Sequence, residues 1–166
     1  MSHFKIKSLN KAVILIAALF ISCQPKENLH ELIFIETPCK NGALPFLFSS
    51  ENKTLLSWVE YESDTTDVLK FSTLTNGAWS EEKTIAHGSD WFVNWADYPS
   101  VVEFGNGKYL AAPWLQKSAQ GTYDYDIKLS LSDNNGSQWS SPITIHNDGV
   151  AAEHGFVSMA AYGDSL

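Results

Sequence analysis

Twelve residues in four short stretches carry the side chains with the most chemical reach in this chain: Asp64 and Asp67; Asp90, Trp91, Trp95, Asp97 and Tyr98; Tyr123, Asp124 and Tyr125; and Glu153 with His154. Carboxylates beside aromatic faces are the chemistry of sugar recognition. The rings stack on the apolar faces of pyranoses while carboxylates accept hydroxyl hydrogen bonds. Trp91, Trp95, Asp90, Asp64 and Tyr125 are therefore expected to bind substrate, and Glu153, His154 and Asp97 to take part in catalysis. A His beside a Glu can serve as general base or proton shuttle. Each has a structural alternative: Trp91 and Trp95 can plug the gap between sheets, and Asp97 can cap a turn ahead of Tyr98-Pro99.

These stretches need elements to position them, and hairpins supply the pattern. Asn135-Gly136 follows the alternating run Asp126–Leu131 and leads through Trp139 to Ile143–Ile145; Asn76-Gly77 follows Val68–Ser72 and leads through Trp79 to Ile85. Asn-Gly between strand-like runs is the strongest short-range hairpin signal, because both turn positions need positive φ. Trp79 and Trp139 lie 60 residues apart, as do Ser80 and Ser140, whereas Pro45 and Pro99, and Leu56 and Leu110, are spaced by 54. The difference is expected in a longer Gln116–Asp126 loop. Each unit reads as four short strands, near Phe46–Phe48, Leu55–Val59, Val68–Thr73 and Lys83–Ile85, then Val101–Phe104, Tyr109–Pro113, Ile127–Leu131 and Ile143–Ile145. The expected class is all-β, a β-propeller of four-stranded antiparallel blades. A two-sheet sandwich is the alternative. A third unit is expected to begin with a strand at Gly155–Ala161, and blades bury their faces against neighbours, so the chain reads as the N-terminal part of a longer protein. Because strands run up and down, the four chemistry-bearing stretches should share one face.

The stretch Ser132 to Trp139 resembles the Asp-box, S-x-D-x-G-x-x-W, of sialidases and related BNR-repeat propellers, with Asn134 at the usual Asp position. The copy at Asn76, Gly77 and Trp79 is degenerate, and the resemblance covers Gly42 to Leu166. It implies a sialidase-like propeller, six-bladed when complete, with blade one at about 42–88, blade two at about 97–149 and the start of a third at 153–166. It also implies that Ser132, Asn134, Gly136 and Trp139 are structural: the Asn accepts turn amides, Gly takes the left-handed position and Trp packs beneath. The implied activity is that of an exo-sialidase-type glycoside hydrolase, whose relatives place an acid/base Asp in the loop holding Asp64 and Asp67. Sialidases grip the sialic-acid carboxylate with three arginines, whose planar fork matches it in a way that Lys does not. The first stands in an Arg-Ile-Pro motif; here that stretch is Ala43-Leu44-Pro45, which argues against ordinary sialic-acid hydrolysis. The remaining arginines and the Tyr/Glu nucleophile pair are expected beyond Leu166.

Lys5, Lys7 and Lys11 precede the apolar run Ala12–Ile21, too short to span a bilayer and proportioned like a signal peptide. Leu19-Phe20-Ile21-Ser22-Cys23 resembles the bacterial lipoprotein box. The expected organisation is a signal peptide at 1–22, a lipidated Cys23 with a tether to 41, and the propeller from 42 to 166. By that resemblance the protein is anchored to an envelope membrane by lipid rather than spanning it. Cys39 is then the single mature thiol, expected to be buried and inert. All 11 basic residues are Lys, and without the three signal lysines the remaining eight stand against 19 acids, a net charge of −11. This excludes nucleic acid as a partner, which needs a basic face. No cofactor is expected. Nor is a metal, since the five His are scattered at 3, 30, 87, 146 and 154. The expected partner is a glycan or glycoconjugate. A glycan-active enzyme and a non-catalytic glycan- or protein-binding propeller remain the two functional readings.

Overall fold

The computed structural model describes residues 32–51 and 53–166, so the signal peptide, Cys23 and the first part of the tether lie outside the described residues. Ile35–Leu166 forms one compact unit. Among the described residues there is no helix, and the chain is all-β, built from two antiparallel sheets. The first contains β1 (Gly42–Ser49), β2 (Thr54–Ser63), β3 (Thr66–Thr75), β4 (Ala78–Trp79) and β5 (Lys83–Gly88). The second contains β6 (Val102–Phe104), β7 (Tyr109–Lys117), β8 (Tyr125–Ser132) and β9 (Ile143–Thr144). β4 and β5 both pair with β3 and share its outer edge, so each sheet is a four-row meander. The described residues close into neither a barrel nor a propeller.

The repeat is visible in the registers. Trp58 pairs with Lys70 and Leu56 with Ser72; Trp114 pairs with Lys128 and Ala112 with Ser130. Corresponding positions are Phe48 and Val102 in the first row, Trp58 and Trp114 in the second, Lys70 and Lys128 in the third, Thr84 and Thr144 in the fourth, at offsets of 54, 56, 58 and 60. The expected pairing of Leu56 with Leu110 is therefore corrected: Leu56 corresponds to Ala112. The extra length is not confined to one loop but enters as two residues at each hairpin. An even insertion is what a sheet tolerates, since a slip of one would turn every side chain to the other face.

Side-chain bonds repeat along with the registers. The buried Ser72 Oγ donates to the Ser80 carbonyl at 2.8 Å, and the buried Ser130 Oγ to the Ser140 carbonyl at 2.6 Å. Both Asn-Gly turns have the expected positive φ, 52° and 79° at Asn76-Gly77 and 57° and 73° at Asn135-Gly136. In the second hairpin the Ser132 hydroxyl accepts from Gly136 N at 2.9 Å, and Asn134 Oδ1 accepts from Gln138 N at 2.9 Å. The Asn thus ties the turn amides as an Asp would.

The core lies where the sheets meet. Leu55, Val59, Leu69, Phe71 and Ile85 of the first sheet bury against Leu110 and Ala112 of the second and Val101 just ahead of it. β2 and β7 read as nearly continuous apolar runs because they are central strands covered on both faces. Trp139 meets Phe71 edge-on with centroids 6.0 Å apart, so the second hairpin seals this junction. Pro113 stands in the middle of β7, yet pairing with β6 stops at Val102–Ala111, so no ladder partner awaits its missing N–H on that side.

The expected third-unit strand at Gly155–Ala161 is not formed. That stretch is irregular, with isolated bridges at Tyr125–Glu153 and Tyr162–Ser165 flanking it. A strand exists by virtue of a partner, and among the described residues this one has none.

Candidate functional site

The four chemistry-bearing stretches gather at one end of the sheets. The β2–β3 turn, the end of β5, the connection from Ser89 to Ser100, the β7–β8 loop and the chain after β9 meet there. Phe92 N donates to Leu115 O, Lys117 N to Asp90 O, and Tyr125 N to Ala152 O. Tyr125 opens β8 and is fully buried, with Phe92 stacked on it at 4.4 Å. Its hydroxyl donates to Glu153 Oε1 at 2.9 Å. Burial pushes its pKa well above the usual phenol range, and the Glu153 carboxylate adds to the shift. A phenol held this way is a poor nucleophile, since its oxyanion would be both desolvated and beside a carboxylate.

Asp97 is buried beside it. Its Oδ1 accepts from Phe156 N at 2.8 Å, and Asn94 Nδ2 donates to Oδ2 at 3.3 Å. A Cβ at Gly155 would stand 3.1 Å from Asp97 Oδ1 and 3.3 Å from the Tyr125 hydroxyl, so the bare backbone of Gly155 is what fits between them. Asp97 and Tyr125 thus pin the irregular segment that follows Glu153.

Around this cluster the expected residues divide. Trp91 is half-buried, packs against Trp114 with ring centroids 5.4 Å apart and the planes tilted by 32°, and bridges to Gln116, so it fills the gap between sheet and connection. Asp90 is exposed, and its carboxylate accepts from Gln116 Nε2 at 3.1 Å. Asp64 is exposed at the β2–β3 turn. Trp95 is 85% exposed and Tyr98 40%, on either side of Asp97. Tyr98 borders a cavity of about 190 Å³ lined also by Phe46, Asp97, Ser100, Trp114 and Met159. The cavity opens along the edge of β7 that the three-residue β6 leaves uncovered beyond Pro113.

Glu153 and His154, expected to work as a pair, point to different clusters. Neighbouring side chains of an extended chain diverge. Glu153 joins Tyr125, while His154 joins Asp126, the residue after it. His154 Nε2 lies 3.0 Å from Asp148 Oδ2, and its Nδ1 lies 3.1 Å from the Tyr125 carbonyl. The Asp148 bond holds the His154 pKa above the usual imidazole range and that of Asp148 below the usual carboxylate range. His146 stacks on His154 at 3.7 Å with the rings within 14° of parallel. One donor atom from each of Asp126, His146 and His154 lies within 4.8 Å of the others. The scattered numbering hid this grouping: β9 delivers His146 beside Asp126, and the loop 147–153 returns His154 to the same spot. Asp126, His146 and Asp148 are the residues that sequence reasoning missed, and the turn signal Asn147-Asp148-Gly149 between two His was the one available clue.

Cys39 is half-buried, close to Gly42 and Trp58, and burial raises its pKa, in keeping with an inert thiol.

No family model, curated protein or solved structure matches this chain. The site must speak for itself.

Proposed function

We propose that the protein is a lipid-anchored, glycan-recognising protein of the bacterial envelope, its two sheets being blades of a sialidase-like propeller. One observation carries the recognition reading. Tyr98 and Asp97 border a cavity lined also by Phe46, Ser100 and Trp114, and Trp95, next in sequence to the lining residue Ala96, stands almost fully exposed. Large apolar rings left in water need a partner, and a sugar ring supplies the C–H face they fit while its hydroxyls meet Ser and carboxylate oxygens. The ligand is a neutral glycan. The chain contains no Arg, Ala43 offers no cation, and the mature net charge of −11 disfavours anionic sugars. The Asn134–Gly136–Trp139 turn and the repeated meanders support the propeller reading, and the Lys-flanked apolar run ending at Cys23 supports the lipid anchor.

Binding is favoured over hydrolysis because Asp97 is occupied by a backbone amide and Tyr125 is sealed. The hydrolase reading rests on the exposed Glu153 carboxylate, which accepts a hydrogen bond from the Tyr125 hydroxyl. A panel of immobilised neutral and sialylated glycans tests the proposal. Wild-type protein should bind a neutral member, and Trp95→Ala should weaken binding at least about tenfold with unchanged melting, as expected for loss of a stacking ring worth about 1.5 kcal/mol. Equal binding by Trp95→Ala, or none by wild type, overturns it. Turnover of aryl glycosides that disappears in Glu153→Gln would promote the hydrolase reading. Metabolic labelling with a radiolabelled fatty acid, lost in Cys23→Ala, tests the anchor.

A further inference from the structure

We propose that Asp126, His146 and His154 form a binding site for a divalent transition-metal ion of the zinc type. The site lies on the side of β8 opposite Tyr125. His146 supplies the first argument. Both of its ring nitrogens are buried, and neither has a hydrogen-bond partner. Each faces a carboxylate at 3.6 Å, Nε2 towards Asp126 Oδ1 and Nδ1 towards Asp148 Oδ1. That separation is too long for a hydrogen bond. An imidazole whose two nitrogens are shielded and satisfied by no hydrogen-bond partner is suited to take a metal ion.

The spacing supplies the second argument. Asp126 Oδ1 stands 3.6 Å from His146 Nε2 and 3.9 Å from His154 Nδ1. Zn–N and Zn–O bonds of about 2.0–2.2 Å in a tetrahedron put adjacent donor atoms about 3.3–3.6 Å apart. The two separations from Asp126 Oδ1 are therefore already at or near a tetrahedron edge, and all three donors lie within 4.8 Å of one another. Metal entry requires the stacked rings to splay so that both lone pairs converge, and His154 Nδ1 to turn from the Tyr125 carbonyl.

The surroundings complete the site. Asp148 accepts from His154 Nε2 at 3.0 Å, the carboxylate–imidazole arrangement that orients metal-bound His. Lys128 lies 3.4 Å from Asp126 Oδ2 and leaves Oδ1 to the imidazoles. The cluster faces an open cavity of about 390 Å³ bordered by Ser118, Thr144 and Gly149, a route for the ion and for a water as fourth ligand. Two imidazoles with a carboxylate select zinc or a neighbouring first-row ion over calcium, which demands oxygen. Such an ion would tie β8 to the chain that follows β9.

Zinc chloride titrated into the full chain by calorimetry, with cobalt(II) absorption as a second readout, tests this. Wild type should bind one zinc per chain, melt at a higher temperature with zinc, lose that gain with EDTA, and give the visible bands of tetrahedral cobalt. His146→Gln and Asp126→Asn should each lower affinity by about 100-fold or more, and Asp148→Asn by about 10- to 100-fold as an outer partner. Cys39→Ser should change nothing. No zinc binding by wild type, unaltered affinity in a folded His146→Gln or Asp126→Asn chain, or equal affinity for calcium overturns the proposal. If His146→Gln fails to fold, Asp126→Asn together with wild-type cobalt spectra decides it.

Discussion

In the first sheet the β2–β3 hairpin turns through Asp64 and Thr65, and β1 pairs with β2 from Gly42 to Ser49, interrupted by an irregularity at Leu44-Pro45. In the second sheet the corresponding hairpin carries residues 118–124, and β6 stops after three residues. The registers are the same and the buried Ser–carbonyl bonds are the same, so the two sheets share one scaffold. What differs is gathered at one end. The shortened β6 uncovers Pro113–Leu115 and creates the small cavity, and the residues after β9 bring Asp148, Glu153 and His154 back to β8. A repeated fold can thus vary chemistry by lengthening its turns in steps of two and withdrawing an edge strand, without disturbing the core. Function sits where the copies diverge.

The turn glycines offer the sharpest way to break this comparison. Both have positive φ, but an added Cβ at Gly136 would stand 2.3 Å from the Phe71 ring, whereas Gly77 has open space. Gly136→Ala combines backbone strain with overpacking and should cost about 3 kcal/mol, against about 1 kcal/mol for Gly77→Ala. Denaturant melts of the two variants measure this. Equal losses would mean that the second hairpin does not seal the inter-sheet junction.

Ser72→Ala and Ser130→Ala probe the shared scaffold instead. Each removes a buried hydroxyl that donates to the carbonyl of the Ser after the repeated Trp, and each should cost about 1–2 kcal/mol. Stability losses differing by more than about 1 kcal/mol would show that the copies are not equivalent inside.

The smallest effect concerns a position where the sheets differ in charge. Trp58 Nε1 donates to Glu60, and Trp114 Nε1 to Gln116. The Lys70 ammonium, 2.7 Å away, and the Trp58 N–H hold the Glu60 pKa below its ordinary value. The stability this contributes is present at neutral pH, above the ordinary Glu range, and is lost as pH falls through the depressed folded value. Glu60→Gln, which makes the first sheet resemble the second, should cost about 0.5–1 kcal/mol at neutral pH. Its deficit relative to wild type should vanish in acid. A deficit that persists in acid would assign the effect to packing.

Much of the scaffold was legible in the chain. The Asn-Gly turns, the repeated Trp and alternating strands are local signals, set by φ preference and period-two burial, and they located every row of both sheets within a few residues. Offsets along the rows were legible only in part, because Leu56 and Leu110 look alike while register is decided by pairing. The end that gathers the candidate residues followed from strand alternation. What each residue does there did not follow. Trp91 and Trp95 are the same residue type four positions apart, yet one packs on Trp114 and the other stands in water. Glu153 and His154 are neighbours in sequence and part company in space. Asp126, His146 and His154 span a length over which spacing carries no information, until β9 and the loop after it close on β8. By itself the sequence determined the elements and their repetition, since those depend on residues within a turn or a strand of one another. The tertiary structure alone decided which side chains are sealed, exposed or brought together, since that depends on contacts between distant segments that no local preference encodes.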